Sequence, residues 1–120
     1  MCVIPSGYAA FLGEFCWLGS DSNELHRYAV TDAGNGHLTV NGRITDNDDP
    51  SQKDVVFGAA EVFGNEVRMS LTYTRSEPSV AHAHVSLDLA SLNGVITWLD
   101  IALPFSFTPW SESLNKVTCP

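Results

Sequence analysis

The stretch Val55-Val56-Phe57-Gly58-Ala59-Ala60-Glu61-Val62-Phe63-Gly64-Asn65-Glu66-Val67-Arg68-Met69-Ser70-Leu71-Thr72-Tyr73-Thr74-Arg75 decides the fold. Two runs with a two-residue period meet at Gly64-Asn65, a pair that accepts the positive φ of a tight hairpin. Alternate residues of a strand face opposite sides of the sheet. In the second run Val67, Met69, Leu71 and Tyr73 share one side, while Glu66, Arg68, Ser70, Thr72 and Thr74 share the other. The first run groups Phe57, Ala59, Glu61 and Phe63 against Val56, Gly58, Ala60 and Val62. A lone hairpin is marginal in water, so the flanking sequence has to supply further strands and a core.

It does so on both sides. Alternating or β-branched runs occupy Tyr8–Leu18, Glu24–Thr31, His37–Thr45, Ala81–Leu89 and Val95–Leu103, and a last short run spans Phe105–Trp110. Gly34-Asn35-Gly36 and Asn93-Gly94 mark further turns, and a longer polar loop, Asp46 to Asp54, holds Pro50. No segment of helical length keeps an apolar period of 3.6 residues. The expected architecture is all-β: an antiparallel up-and-down meander closing into a small barrel of seven or eight strands, which removes exposed sheet edges. A two-sheet sandwich is the alternative. With 120 residues and no linker or repeat, residues 1–120 are expected to form one domain.

Composition narrows the function classes. Lys+Arg number 6 against 14 Asp+Glu, a formal net charge of −8, which argues against a nucleic-acid phosphate track and against an anionic membrane surface. Hydrophobic residues make up 44% and charged residues 17%, as in a folded globular chain. The apolar start, Met1 to Leu18, has no basic segment and is broken by Pro5, Gly7, Gly13 and Glu14, so it reads poorly as a signal peptide. Cys2, Cys16 and Cys119 form no zinc-type spacing, and an odd, sparse count fits a reduced, cytoplasmic protein. A bond between Cys2 and Cys119 is a minor expectation, since a meander with an even number of strands brings its ends to one rim. Cys16 reads as a buried apolar residue.

The order of turns resembles the avidin and streptavidin family of eight-stranded, calycin-type barrels. Gly13-Glu14-Phe15-Cys16-Trp17-Leu18-Gly19-Ser20 looks like that family's first strand and following loop. Asn41-Gly42-Arg43-Ile44 and Val56 to Asn65 look like its third and fourth strands, and Trp98 with the apolar run to Phe107-Thr108 is similar to its last. The resemblance implies a pocket at one barrel mouth. Family tryptophans on the middle strands correspond to Phe63 and Tyr73, the first-strand asparagine to Trp17, the first-loop serine to Ser20, the third-strand tyrosine to Ile44 and the last-strand aspartate to the region of Phe105 or Ser106. Most of the polar clamp for biotin is therefore unmatched, and biotin is not the expected ligand.

The sharpest polar feature is Ala81-His82-Ala83-His84-Val85-Ser86-Leu87-Asp88, which puts His82, His84, Ser86 and Asp88 on one strand face. Three readings compete. The face is turned to solvent, with Ala83, Val85, Leu87 and Leu89 in the core. Or it lines a polar lumen, with those apolar residues packed on a neighbouring protomer. Or the two imidazoles begin a metal site, although such a site wants further ligands and only His26 and His37 remain. No metal or other cofactor is expected. In the lumen reading Glu61 beside His84 is suited to acid–base work, with Asp100 as a second carboxylate.

Three functions follow as expectations. The first is binding of a small, partly apolar ligand in the barrel mouth, walled by Trp17, Phe63, Tyr73 and Trp98, with Ser20, His84, Asp88 and Asp100 as polar handles. The second is a cofactor-free barrel isomerase or cyclase, with His82, His84, Glu61 or Asp88 moving a proton. The third is an acidic protein-interaction domain. Val95–Leu103 is apolar on both faces, which predicts a homodimer or larger assembly.

Overall fold

A computed structural model describes residues 10–34, 36–48, 53–74, 80–102 and 106–120, with the backbone alone at 53, 80, 100–102 and 106–108. Eight strands run in chain order: β1 (Ala10–Gly19), β2 (Glu24–Gly34), β3 (His37–Asp46), β4 (Lys53–Phe63), β5 (Glu66–Thr74), β6 (Val80–Asp88), β7 (Gly94–Ala102) and β8 (Ser106–Val117). Each pairs antiparallel with the next, and β1 pairs with β8, so the meander closes into a barrel. The closed barrel is the expected one, with eight strands. Closure runs through Cys16–Gly19 and Leu114–Val117, so the edge that an open sheet would present is removed only along that seam.

The hairpin that decides the fold forms as its pattern requires. Phe63 pairs with Glu66 across Gly64 and Asn65, and Gly64 takes a φ of 59°, where a side chain is disfavoured. Val67, Met69, Leu71 and Tyr73 point into the barrel, as do Ala81, Ala83, Val85 and Leu87 of β6. The histidine face of β6 therefore lies outside, which is the solvent-facing reading, although Leu89 is 41% exposed rather than core. On β7, Ile96 and Trp98 are inside and Val95 is outside.

Strand β8 is longer than the run Phe105–Trp110. Its continuation, Ser111 to Val117, alternates exposed Ser111, Ser113 and Asn115 with inward Glu112 and Leu114. A glutamate in an interior seat hides the apolar alternation that would have marked the strand.

The cysteines correct two expectations. Cys119 is bonded to Cys16, which rules out the Cys2–Cys119 pairing, and the chain is not in a fully reduced form. Cys2 itself lies outside the described residues. Register places Cys16 opposite Arg27 on the outer side of β1, since its neighbour Trp17 is inside. Cys16 is nevertheless fully buried, because the tail after β8 folds over it. Arg27 fixes that tail, donating from Nη2 to the Pro120 carbonyl at 3.0 Å and from Nε to Glu14 at 3.1 Å. The bond spans 103 residues of sequence. Constraint of the unfolded chain by a loop of that size is worth about 4–5 kcal/mol in the chain-entropy account. Cys119→Ser should therefore lower the unfolding free energy in urea by several kcal/mol, with reduced wild type falling to the same value. Equal stability of oxidised and reduced protein would show that the bond constrains nothing the sheet does not already hold.

Candidate functional site

Chain alternation puts the connections after β1, β3, β5 and β7 at one rim of the barrel and those after β2, β4 and β6 at the other. The interior beneath the first rim is polar and aromatic. Glu112 projects inward from β8 and is 4% exposed. Its Oε1 accepts from the backbone N–H groups of Asp21 and Ser22, both at 3.0 Å, and from the Ser22 hydroxyl at 3.1 Å. The β1–β2 turn is thus closed onto the barrel by one carboxyl oxygen. Gly19 makes this contact feasible, since a Cβ there would collide with the Glu112 carboxyl group and the Ser22 hydroxyl. The second oxygen, Oε2, is buried and has no hydrogen-bond partner.

His26 on β2 is fully buried beside it, and burial depresses its pKa to about 4, opposed by the Glu112 charge. The ring is neutral at pH 7. Its Nδ1 lies 2.7 Å from the Tyr28 hydroxyl. Burial raises the Tyr28 pKa far above the usual phenol range, so that hydroxyl keeps its proton, and it donates to or accepts from Nδ1 according to the imidazole tautomer. The other ring nitrogen, Nε2, is buried without a partner. Trp98 lies 5.7 Å from the His26 ring between centroids, and its indole N–H is also unpartnered. Tyr73 meets Trp98 edge-on at 4.9 Å, and Trp110 stacks on it at 6.1 Å.

These orphans are chemically specific. An indole N–H, an imidazole nitrogen and a carboxyl oxygen, each without a partner, stand in an interior where an unmade hydrogen bond costs about 1–3 kcal/mol. Native interiors keep such groups for a bound water, ion or ligand. The rings of Tyr73 and Trp110 flank the Trp98 indole beside these atoms.

Of the expected wall residues, Tyr73 and Trp98 stand at this site. Trp17 is also interior, but its indole N–H is committed to the Leu92 carbonyl at 2.7 Å, toward the opposite rim. Phe63 is a correction: it lies on the outer face, 49% exposed, with the Arg68 guanidinium 4.8 Å above its ring. Ser20 is exposed and pairs with the Ser113 backbone, so Ser22 is the turn serine that reaches inward. Asp100 lies in β7 opposite Thr108, and its side chain is outside the described residues.

The residues expected to move a proton are also outside the lumen. Glu61 faces His37 at 3.4 Å on the surface, His82 contacts the Thr72 hydroxyl at 3.1 Å, and His84 is exposed. Asp88 caps the β6–β7 turn, accepting from the Ser91 N–H at 2.8 Å, and that bond holds its carboxyl below the usual range. For His82, His84 and Asp88 the reason is that the interior seats of β6 go to its apolar set and the polar set is left for water. Glu61 instead shares the outer face of β4 with Phe57 and Phe63. Among the described residues no three His, Cys, Asp or Glu side chains gather as a metal site. Sequence reading missed His26, Tyr28, Trp110 and Glu112. The available signal was the alternation of His26 and Tyr28 with Val30 in β2, which seats the histidine on the core side.

A neutral buried histidine makes a definite pH dependence. The unfolded chain takes up a proton near pH 6.5 and the folded chain only near pH 4, so the stability contribution is complete above 6.5 and falls between 6.5 and 4. The loss should amount to about 3 kcal/mol across that window. Urea unfolding of wild type and His26→Gln at pH 7 and pH 4 measures it, because the other titrations are shared. A gap between the two proteins that does not change with pH would rule out burial of a neutral imidazole. Compared with protein-family models, curated proteins and solved structures, the chain matches none.

Proposed function

We propose that this chain is an avidin-like, calycin-type barrel that binds a small, partly apolar ligand beneath the rim carrying the β1–β2 turn. The observation that carries this reading is the set of three unpartnered polar atoms, His26 Nε2, Trp98 Nε1 and Glu112 Oε2. A carbonyl-type acceptor on the ligand answers the Trp98 N–H, a ligand N–H or O–H answers Glu112, and His26 Nε2 pairs with either according to its tautomer. Trp98, Tyr73 and Trp110 receive its apolar part. An amide-like molecule has this combination of groups. The position of the His82, His84, Glu61 and Asp88 set on the outer surface supports the binder reading over an isomerase or cyclase that uses those residues.

Native mass spectrometry of untagged protein, followed by thermal shift with the retained compound, tests the reading. Trp98→Phe keeps a ring but deletes one orphan donor, and is expected to weaken binding roughly tenfold, the cost of about one hydrogen bond. Unchanged affinity would remove the indole N–H from the site, and with it the main support for this reading.

Self-association is part of the proposal. Val55, Phe57 and Phe63 share the outer face of β4 at 49–51% exposure, an apolar stripe that supports an interface. Sedimentation velocity should give a dimer or larger species that Phe57→Glu dissociates. A monomer at all concentrations would contradict it.

A further inference from the structure

The opposite end of the barrel has a cavity whose chemistry is the reverse of the polar end. It measures about 260 Å³ and is lined by apolar surface alone, including Phe15, Trp17, Leu38, Met69, Leu87 and Leu92. We propose that this cavity is a separate binding site for a small, neutral, hydrocarbon-like molecule of one or two rings, or a short alkyl chain.

The lining decides the class of occupant. Trp17, the one lining side chain with a strong donor, has spent it on the Leu92 carbonyl at 2.7 Å, so only its ring is presented. A water needs two to four polar partners and would find none here. A charged group would lose its hydration with nothing in exchange. Size points the same way: a dry apolar cavity of about 150 Å³ already takes a benzene ring, and this one is larger.

The wall is also preformed. Leu92 sits at a φ of 61°, a left-handed conformation that costs a leucine about 1–2 kcal/mol. It is held there by its N–H to the Asp88 carbonyl at 2.7 Å and by the Trp17 bond to its own carbonyl. Those two bonds, against the strain, keep the Leu92 side chain on the cavity wall. Met69, unbranched and polarisable, lets the interior adapt to differently shaped guests. The mouth is ringed by Leu12, Val62 and Leu89 at 52%, 47% and 41% exposure, an apolar approach for an apolar molecule. The concave shape suits a small guest better than a second copy of the chain, which would have to insert a protruding apolar side chain.

The two sites are physically distinct. Tyr28 stands at their boundary, 5.4 Å from Trp17 between ring centroids and 5.7 Å from His26. Failure of one site therefore leaves the other intact, and the experiment can separate them.

The test is methyl NMR of the full chain titrated with naphthalene and, in parallel, with naphthalene sulfonate. Ring-current shifts are expected at the Leu38, Met69, Leu87 and Leu92 methyls with naphthalene, and affinity at least about tenfold weaker for the sulfonate, which brings a charge. Ala60→Phe should fill the cavity and abolish these shifts. Should that variant fail to fold, Val62→Phe, at a half-exposed lining position, is expected to weaken naphthalene at least about tenfold. Trp98→Phe should leave naphthalene affinity unchanged while weakening the ligand of the other site. Absence of methyl shifts at saturating naphthalene would overturn the proposal, as would equal affinity for the sulfonate. Binding that disappears as the protein dimerises at higher concentration would show that a second copy covers the mouth, and would overturn it too.

Discussion

Closure of the barrel depends on one short seam. Strands β1 and β8 pair only through Cys16–Gly19 and Leu114–Val117, the shortest ladder in the sheet. Both ends of that seam are reinforced from outside the ladder. On one side the disulfide ties Cys119 to Cys16 just beyond the last pair. On the other, Glu112 grips the β1–β2 turn just beyond Gly19. Without closure β1 and β8 would be open edges, and the interior would be open to water along its length.

The same seam explains why a charged side chain occupies the core. Glu112 is positioned by the need to satisfy two turn N–H groups that point into the barrel, and one of its oxygens is sufficient for that purpose. The other remains without a partner beside His26 and Trp98. A structural clamp and a recognition group are thus the two oxygens of one residue. A chain of ring contacts continues from there through Tyr28 and Trp17 to Phe15, where the interior becomes wholly apolar. The barrel therefore holds two environments of opposite chemistry in one continuous core, with Tyr28 at the boundary.

The outer surface follows a different logic. Polar residues on this surface pair with one another, across strands in the Ser86–Glu66 hydrogen bond and along β5 in the Arg68–Glu66 pair at 3.2 Å. Each is exposed and contributes little to stability. The His-x-His pair of β6 belongs to this surface. It drew notice in the sequence because two imidazoles and a carboxylate share a face. The neighbouring alanines, valine and leucine fill the interior seats, and that leaves the histidines outside.

What the sequence determined by itself was the local grammar. Alternation from Val55 to Thr74, with Gly64-Asn65 at its centre, required a hairpin with Val67, Met69, Leu71 and Tyr73 on one side. The surrounding runs pointed to an antiparallel meander that closes as a barrel or stacks as a sandwich. Those facts are legible because period and turn chemistry act over a few residues. The tertiary structure alone decided the rest. Whether Phe63 or Ala60 faces inward depends on which side of a sheet becomes concave, and a local pattern of apolar residues on both faces does not carry that information. The Cys16–Cys119 bond depends on where the tail after β8 comes to lie. Glu112, Ser22 and Gly19 become one contact only because closure brings positions some ninety residues apart within hydrogen-bonding reach.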